Sequence, residues 1–130
     1  MFFKNNILGI LWAIVILILT VLPGNYFPQI SSFWELLSLD KLIHVSIFAI
    51  FSLLLIRVFK KQNKYLFLYS HSKISALLIG IIYGSLTEII QSLINNGRHS
   101  SLYDFIANSA GCIVGLVLFN MFFMKYFKKV

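Results

Sequence analysis

The chain has 130 residues, of which 59% are hydrophobic and only 12% charged, with a net charge of +7 and a mean hydropathy of +0.88. A soluble domain of this size carries about a quarter charged residues, so the composition excludes one and indicates an integral membrane protein. The positive charge flanks apolar runs, where it reports topology and not affinity for nucleic acid. Cys112, the single cysteine, forms no internal disulfide and belongs to no zinc or redox spacing.

Apolar runs near the ~20 residues that cross a hydrocarbon core predict four transmembrane helices, at about 2–22, 39–59, 74–94 and 102–124. The first follows Lys4 as a signal peptide does, but it is long and ends in Pro23-Gly24-Asn25 without a small-residue cleavage pattern, so it reads as a membrane helix. Residues 23–38 carry Tyr26, Phe27, Phe33 and Trp34, an interfacial mixture, and Ser32-x-x-Glu35 has the form of a capping box. The connection from Lys60 to Lys73 is basic, and the one from Asn95 to Ser101 is short. Short links imply antiparallel neighbours, so the expected fold is an all-α, up-down bundle of four helices forming one membrane domain over residues 1–130.

With four crossings, Lys4, Arg57, Lys60, Lys61, Lys64, Lys73, Lys125, Lys128 and Lys129 share one side, and only Lys41 and Arg98 fall on the other. The positive-inside rule then puts both termini in the cytoplasm. Glu35, Asp40, Glu88 and Asp104 all land in the opposite, outward half.

An ionisable side chain in a membrane segment is expensive and marks a functional site by default. Asp40 starts the second helix with His44 one turn deeper, and Asp104 with Asn108 repeats that spacing on the fourth. Glu88 sits about two turns inside the outer end of the third helix, with Gln91 beside it and Arg98 in the loop above. Ala76, Gly80, Gly84 and Glu88 recur every four residues, and Gly111-x-x-x-Gly115 continues below Asn108. Such small-residue stripes permit close approach of helices in lipid, which predicts face-to-face packing of the third and fourth helices with the polar residues at the outer end of their seam.

Each polar residue has a structural reading beside the functional one. Asp40 and Asp104 suit helix N-termini, and Lys41 can snorkel to the interface. His44 suits either a proton carrier or a bond to Asp40. Arg98 offers a planar fork for a carboxylate or phosphate, or a partner for Asp104 or Glu88. Glu88 is too deep for a cap and needs a partner or a raised pKa; its expected neighbours are His44 and Arg98. The whole set is able to neutralise itself as a network that locks the helices together.

His99 and His44 have no metal-motif spacing, so neither a metal nor a cofactor is expected. His71 reads as a solvated loop residue, and Phe48, Phe51, Phe105, Phe122 and Phe123 read as packing or lipid-facing surface. There is no Gly-rich phosphate loop, no G-x-S-x-G elbow and no paired catalytic aspartate motif, although spacing alone leaves Ser100, Ser101 and Ser109 open as nucleophiles. Four short helices and one loose repeat, Asp40-x-x-x-His44 against Asp104-x-x-x-Asn108, give transport little support.

Asp40-Lys41-x-x-His44 opening one helix, Glu88-x-x-Gln91 ending the next, and Gly97-Arg98 followed by Asp104-x-x-x-Asn108-x-x-Gly111 resemble the VanZ-like family of bacterial membrane proteins, over about residues 39–118. The chain departs from the family pattern at Val45, where an aromatic is usual, and at Asn95-Asn96, where a proline is frequent. Neither position is ionisable. The resemblance implies a small multi-helix protein of a bacterial cytoplasmic membrane, in a family whose founding member is associated with resistance to the glycopeptide teicoplanin. Its expected ligand-binding residues are Asp40, Lys41, His44, Glu88, Gln91, Arg98, Asp104 and Asn108.

Three functions fit this reading. In the first, an outward pocket binds a lipid-linked or antibiotic-like ligand, or a membrane partner, and modifies susceptibility to an envelope-active antibiotic. The second is an enzyme acting on a lipid head group or cell-wall precursor, with Glu88 or His44 as acid or base. The third is a purely structural bundle. The bilayer is the expected partner in all three, and the oligomeric state is left open.

Overall fold

A computed structural model of the chain describes residues 2–22, 39–94 and 102–127. The Ser32-x-x-Glu35 capping turn, the aromatic residues of 23–38, Arg98 and His99 lie outside the described residues, as does the side chain of Asp40. Among the described residues six helices follow one another: α1 (Phe2–Val21), α2 (Leu39–Lys61), α3 (Leu66–Ser70), α4 (Ser72–Leu93), α5 (Leu102–Phe122) and α6 (Met124–Phe127). No strand occurs among the described residues. In α2, α4 and α5 the apolar helix is long enough to cross a membrane, and α1 contributes the shorter apolar stretch Asn6–Val21.

The distribution of side chains is inverted relative to a water-soluble bundle. On α4 the buried face is Ser72, Ser75, Ala76, Gly80, Gly84, Thr87, Glu88 and Gln91, while Ile74, Leu78, Ile82, Leu86, Ile89 and Leu93 point outward. On α5, Asp104, Asn108, Gly111 and Gly115 are buried, while Leu102, Ile106, Ile113 and Val117 are exposed. Large apolar residues facing out and small or polar ones facing in are stable only where the surroundings are themselves apolar.

Helix α2 carries much of the apolar core, with Phe48, Phe51, Leu55, Ile56, Val58 and Phe59 packed with Ile16, Ala76, Cys112 and Phe119. Phe48 and Phe51 meet edge to face, and Phe51 also meets Tyr83. Phe122 and Phe123 are exposed. The pairing of Lys41 with Asp104 and of Ser52 Oγ with the Cys112 carbonyl, at 3.0 Å, shows that α2 and α5 run parallel. Helix α4 runs against both, and α1 is tied to the pair α2/α4 from another side. There the Trp12 indole donates to the Ile47 carbonyl at 2.9 Å, and the Tyr83 hydroxyl donates to the Ala13 carbonyl at 2.6 Å.

The small residues do their work in a different pairing from the one their spacing suggests. Gly80 and Gly84 face α5, where an added Cβ would stand 2.6 Å from Cys112 Sγ and 3.1 Å from Asn108 Cβ. Gly111 and Gly115, however, face α2 and not α4. A Cβ on Gly111 would lie 2.5 Å from the Val45 carbonyl oxygen, and one on Gly115 would lie 2.4 Å from that of Ala49. The expectation that both stripes share one seam is therefore corrected: α4 is thin where it meets α5, and α5 is thin where it meets α2.

The connection 60–73 also holds more order than its basic composition suggests. Gln62 is buried and closes the turn, donating from Nε2 to the Tyr65 carbonyl at 2.8 Å and accepting at Oε1 from the Tyr65 N–H at 2.7 Å. The short α3 follows, with Lys60 over the Tyr69 ring and Phe67 stacked on an exposed His71.

Candidate functional site

Lys41 and His44, three residues apart on α2, and Asp104 and Asn108, four apart on α5, form a lateral ladder because those helices are parallel and in register. Lys41 Nζ donates to Asp104 Oδ1 as an ion pair. One turn deeper, His44 Nδ1 meets Asn108 Oδ1 at 2.7 Å. Asn108 then reaches across to α4, donating from Nδ2 to Glu88 Oε1 at 3.1 Å. Asn108 is 1% exposed and Glu88 9%, so these bonds form inside the protein.

Asn108 is thus the centre of the network, and its amide constrains the histidine. Asn108 Nδ2 donates to Glu88, so Oδ1 faces His44 and accepts from the ring Nδ1–H. The residue expected beside Glu88 was His44 with Arg98; its direct bond is to Asn108, and one ring nitrogen of His44 and one oxygen each of Glu88 and Asp104 lie within 4.8 Å of one another. Lys41 is held by Asp104, in place of the snorkelling role open to it from sequence alone.

Beside this network lies a small, partly open cleft between α1, α2 and α4. Ile16, Leu19, Ile43, Ile47 and Phe48 form apolar walls, while Thr20, His44, Thr87, Glu88 and Gln91 add polar groups. Gln91 is 3% exposed, so it too is an interior residue. The two threonines satisfy their hydroxyls on their own helices, Thr20 on the Ile16 carbonyl at 2.8 Å and Thr87 on that of Gly84 at 2.8 Å. Their methyl groups and backbones therefore shape the cleft more than their hydrogen bonds do.

Of the eight residues expected in the site, the structure brings together Lys41, His44, Glu88, Asp104 and Asn108 in one cluster and sets Gln91 in the adjoining cleft. The part played by α1 was not visible in sequence, because Ile16 and Leu19 are unremarkable in an apolar run. Thr20, a polar residue at the end of that run, is the one local signal that α1 borders something polar.

No curated protein and no solved structure matches the chain. A family model does match, described as VanZ/LLP1 and covering residues 9–123, which takes in α1 from Gly9 onward as well as every described residue of the cluster and cleft. On that match over most of its length, the chain belongs to the VanZ/LLP1 family.

Proposed function

We propose that the chain crosses a bacterial cytoplasmic membrane four times with both termini inside, and that its outward cleft binds a lipid-linked envelope ligand without turning it over. Occupancy of that cleft then alters susceptibility to glycopeptide-type antibiotics. The observation that carries this reading is the composition of the cleft: apolar side chains of α1 and α2 line it together with His44, Glu88 and Gln91. An amphiphile combines the same two chemistries, with a chain suited to the apolar walls and a head group suited to the polar residues. The basic residues Lys60, Lys64 and Lys125, each set over a tyrosine ring at the other end of the bundle, support the orientation.

The test is expression in a glycopeptide-sensitive bacterium. Glu88→Ala and Asp104→Ala are compared with the unaltered chain for antibiotic susceptibility and for the amount of folded protein in the membrane. The expected result is a change in susceptibility larger than any loss of folded protein accounts for. Unchanged susceptibility for both variants sinks the proposal, and loss that merely tracks protein abundance supports a structural bundle in its place. Reporter fusions at each terminus check the orientation.

A second reading is a hydrolase or transferase acting on a lipid head group, with Glu88 and His44 as acid and base. It is favoured by the hydrogen bond from His44 to Asn108, which fixes the orientation of the ring beside Glu88. Loss of a labelled envelope lipid in the presence of the purified chain, abolished by Glu88→Gln, is its signature. Equal turnover by the two proteins excludes it.

A further inference from the structure

We infer that His44, Glu88 and Asp104 form a binding site for one divalent metal ion of the zinc type. The inference goes beyond the ligand reading above, since it concerns what the cluster holds and not what enters the cleft. The three side chains come from α2, α4 and α5, and each offers one ligand atom within 4.8 Å of the other two. Ligands bound to one tetrahedral zinc ion at 2.0–2.2 Å lie about 3.3–3.6 Å apart, so side-chain movements of about an ångström each bring the set to bonding distance of a single ion.

The chemistry of the donors selects the ion. One imidazole with two carboxylates is a mixed nitrogen and oxygen set that suits zinc or a similar transition metal better than magnesium, which prefers oxygen alone and keeps its water. Three protein ligands leave a zinc ion an open position for an exogenous oxygen, and two of the three, His44 and Glu88, line the cleft. Asn108 supplies the orienting contact that metal-binding histidines regularly have, holding His44 by one ring nitrogen and Glu88 by one oxygen. Sequence spacing contains no trace of this site because its ligands sit on three different helices.

Lys41 is the competitor. Its ammonium occupies Asp104, so the cluster among the described residues sets two carboxylates against one fixed cation. A dication displaces the ammonium toward the end of the bundle, where Lys41 is already partly exposed. Removing that ammonium is then expected to tighten metal binding.

The experiment uses the full chain in detergent, free of added lipid, stripped with a chelator and titrated calorimetrically with Zn2+ alone, with Mg2+ in parallel. His71→Ala is the common background, because an exposed histidine offers Zn2+ a contact unrelated to the cluster. The expected result is saturable binding of about one Zn2+ per chain with a raised thermal midpoint, no comparable effect of Mg2+, loss in His44→Ala and in Glu88→Gln, and tighter binding in Lys41→Met. Asn108→Leu is expected to weaken binding by about 10- to 100-fold while leaving the ligands in place. Absence of saturable binding in both the background chain and Lys41→Met overturns the inference, as does binding that survives in the His44→Ala, Glu88→Gln double variant. A chain that binds no Zn2+ yet still changes antibiotic susceptibility through Glu88 removes the metal and leaves the ligand reading standing.

Discussion

Gly115 lies so close to Ala49 that a Cβ built on it would stand 2.4 Å from the Ala49 carbonyl oxygen. Backbone cannot rotate out of the way as a side chain can, so this contact sets the distance between α2 and α5. Gly115→Ala is expected to destabilise the bundle by about 1–3 kcal/mol, the usual range for an overpacked interior. Gly111→Ala, opposite Val45, is expected to act alike. Denaturant titration in mixed micelles measures both; an unchanged midpoint would mean that the helices separate freely at this seam.

Gly80 offers a contrasting case, because its nearest neighbour is a side chain. A Cβ there would meet Cys112 Sγ at 2.6 Å, whereas Cys112 Cβ is at an unstrained 3.6 Å. Gly80→Ala should therefore be costly alone and substantially relieved in combination with Cys112→Ala. Additive losses in the double variant would show that the clash lies elsewhere.

Cys112 is fully buried in the same seam and has no exposed atom for a reagent to reach. A membrane-permeant maleimide is expected to leave it unmodified in the folded chain and to label it after unfolding. Rapid labelling of the native protein would place α4 and α5 further apart than described.

The Lys41–Asp104 pair and the Asn108 bridge predict coupled losses. Lys41→Met or Asp104→Asn leaves one partner uncompensated and is expected to cost about 1–3 kcal/mol, with the double variant losing less than the sum. Asn108→Ala deprives both His44 and Glu88 of a bond at a site 1% exposed and is expected to cost a similar ~1–3 kcal/mol. Thermal melting followed by fluorescence-detected gel filtration resolves each value, and strict additivity of the Lys41 and Asp104 changes would refute the pairing.

Helix positions were legible in sequence because a lipid-facing helix must be apolar throughout its length. The predicted start at residue 102 matches Leu102, and the predicted 74–94 lies within two residues of Ser72–Leu93. Depth was legible too, since a helical rise places Asp104 and Asn108 opposite Lys41 and His44 once the helices are parallel. Rotation was not. The stripe Gly111-x-x-x-Gly115 says which face of α5 is thin, but nothing local says that α2 will fill it. For the same reason Asn108 looked secondary to Glu88, although it bonds both Glu88 and His44. The turn at Gln62 was hidden by its polar composition, which marks a link but does not show a side chain folding back onto Tyr65.

The parallel seam between α2 and α5 bears on biosynthesis. The described bonds joining Lys41, His44 and Glu88 to their partners all end on α5, at Asp104 or Asn108. A ribosome delivers α5 after α2 and α4, so the helix that joins these three side chains is the last of the long described helices to be made. A chain halted before Leu102 lacks Asp104 and Asn108, and with them all three of these bonds.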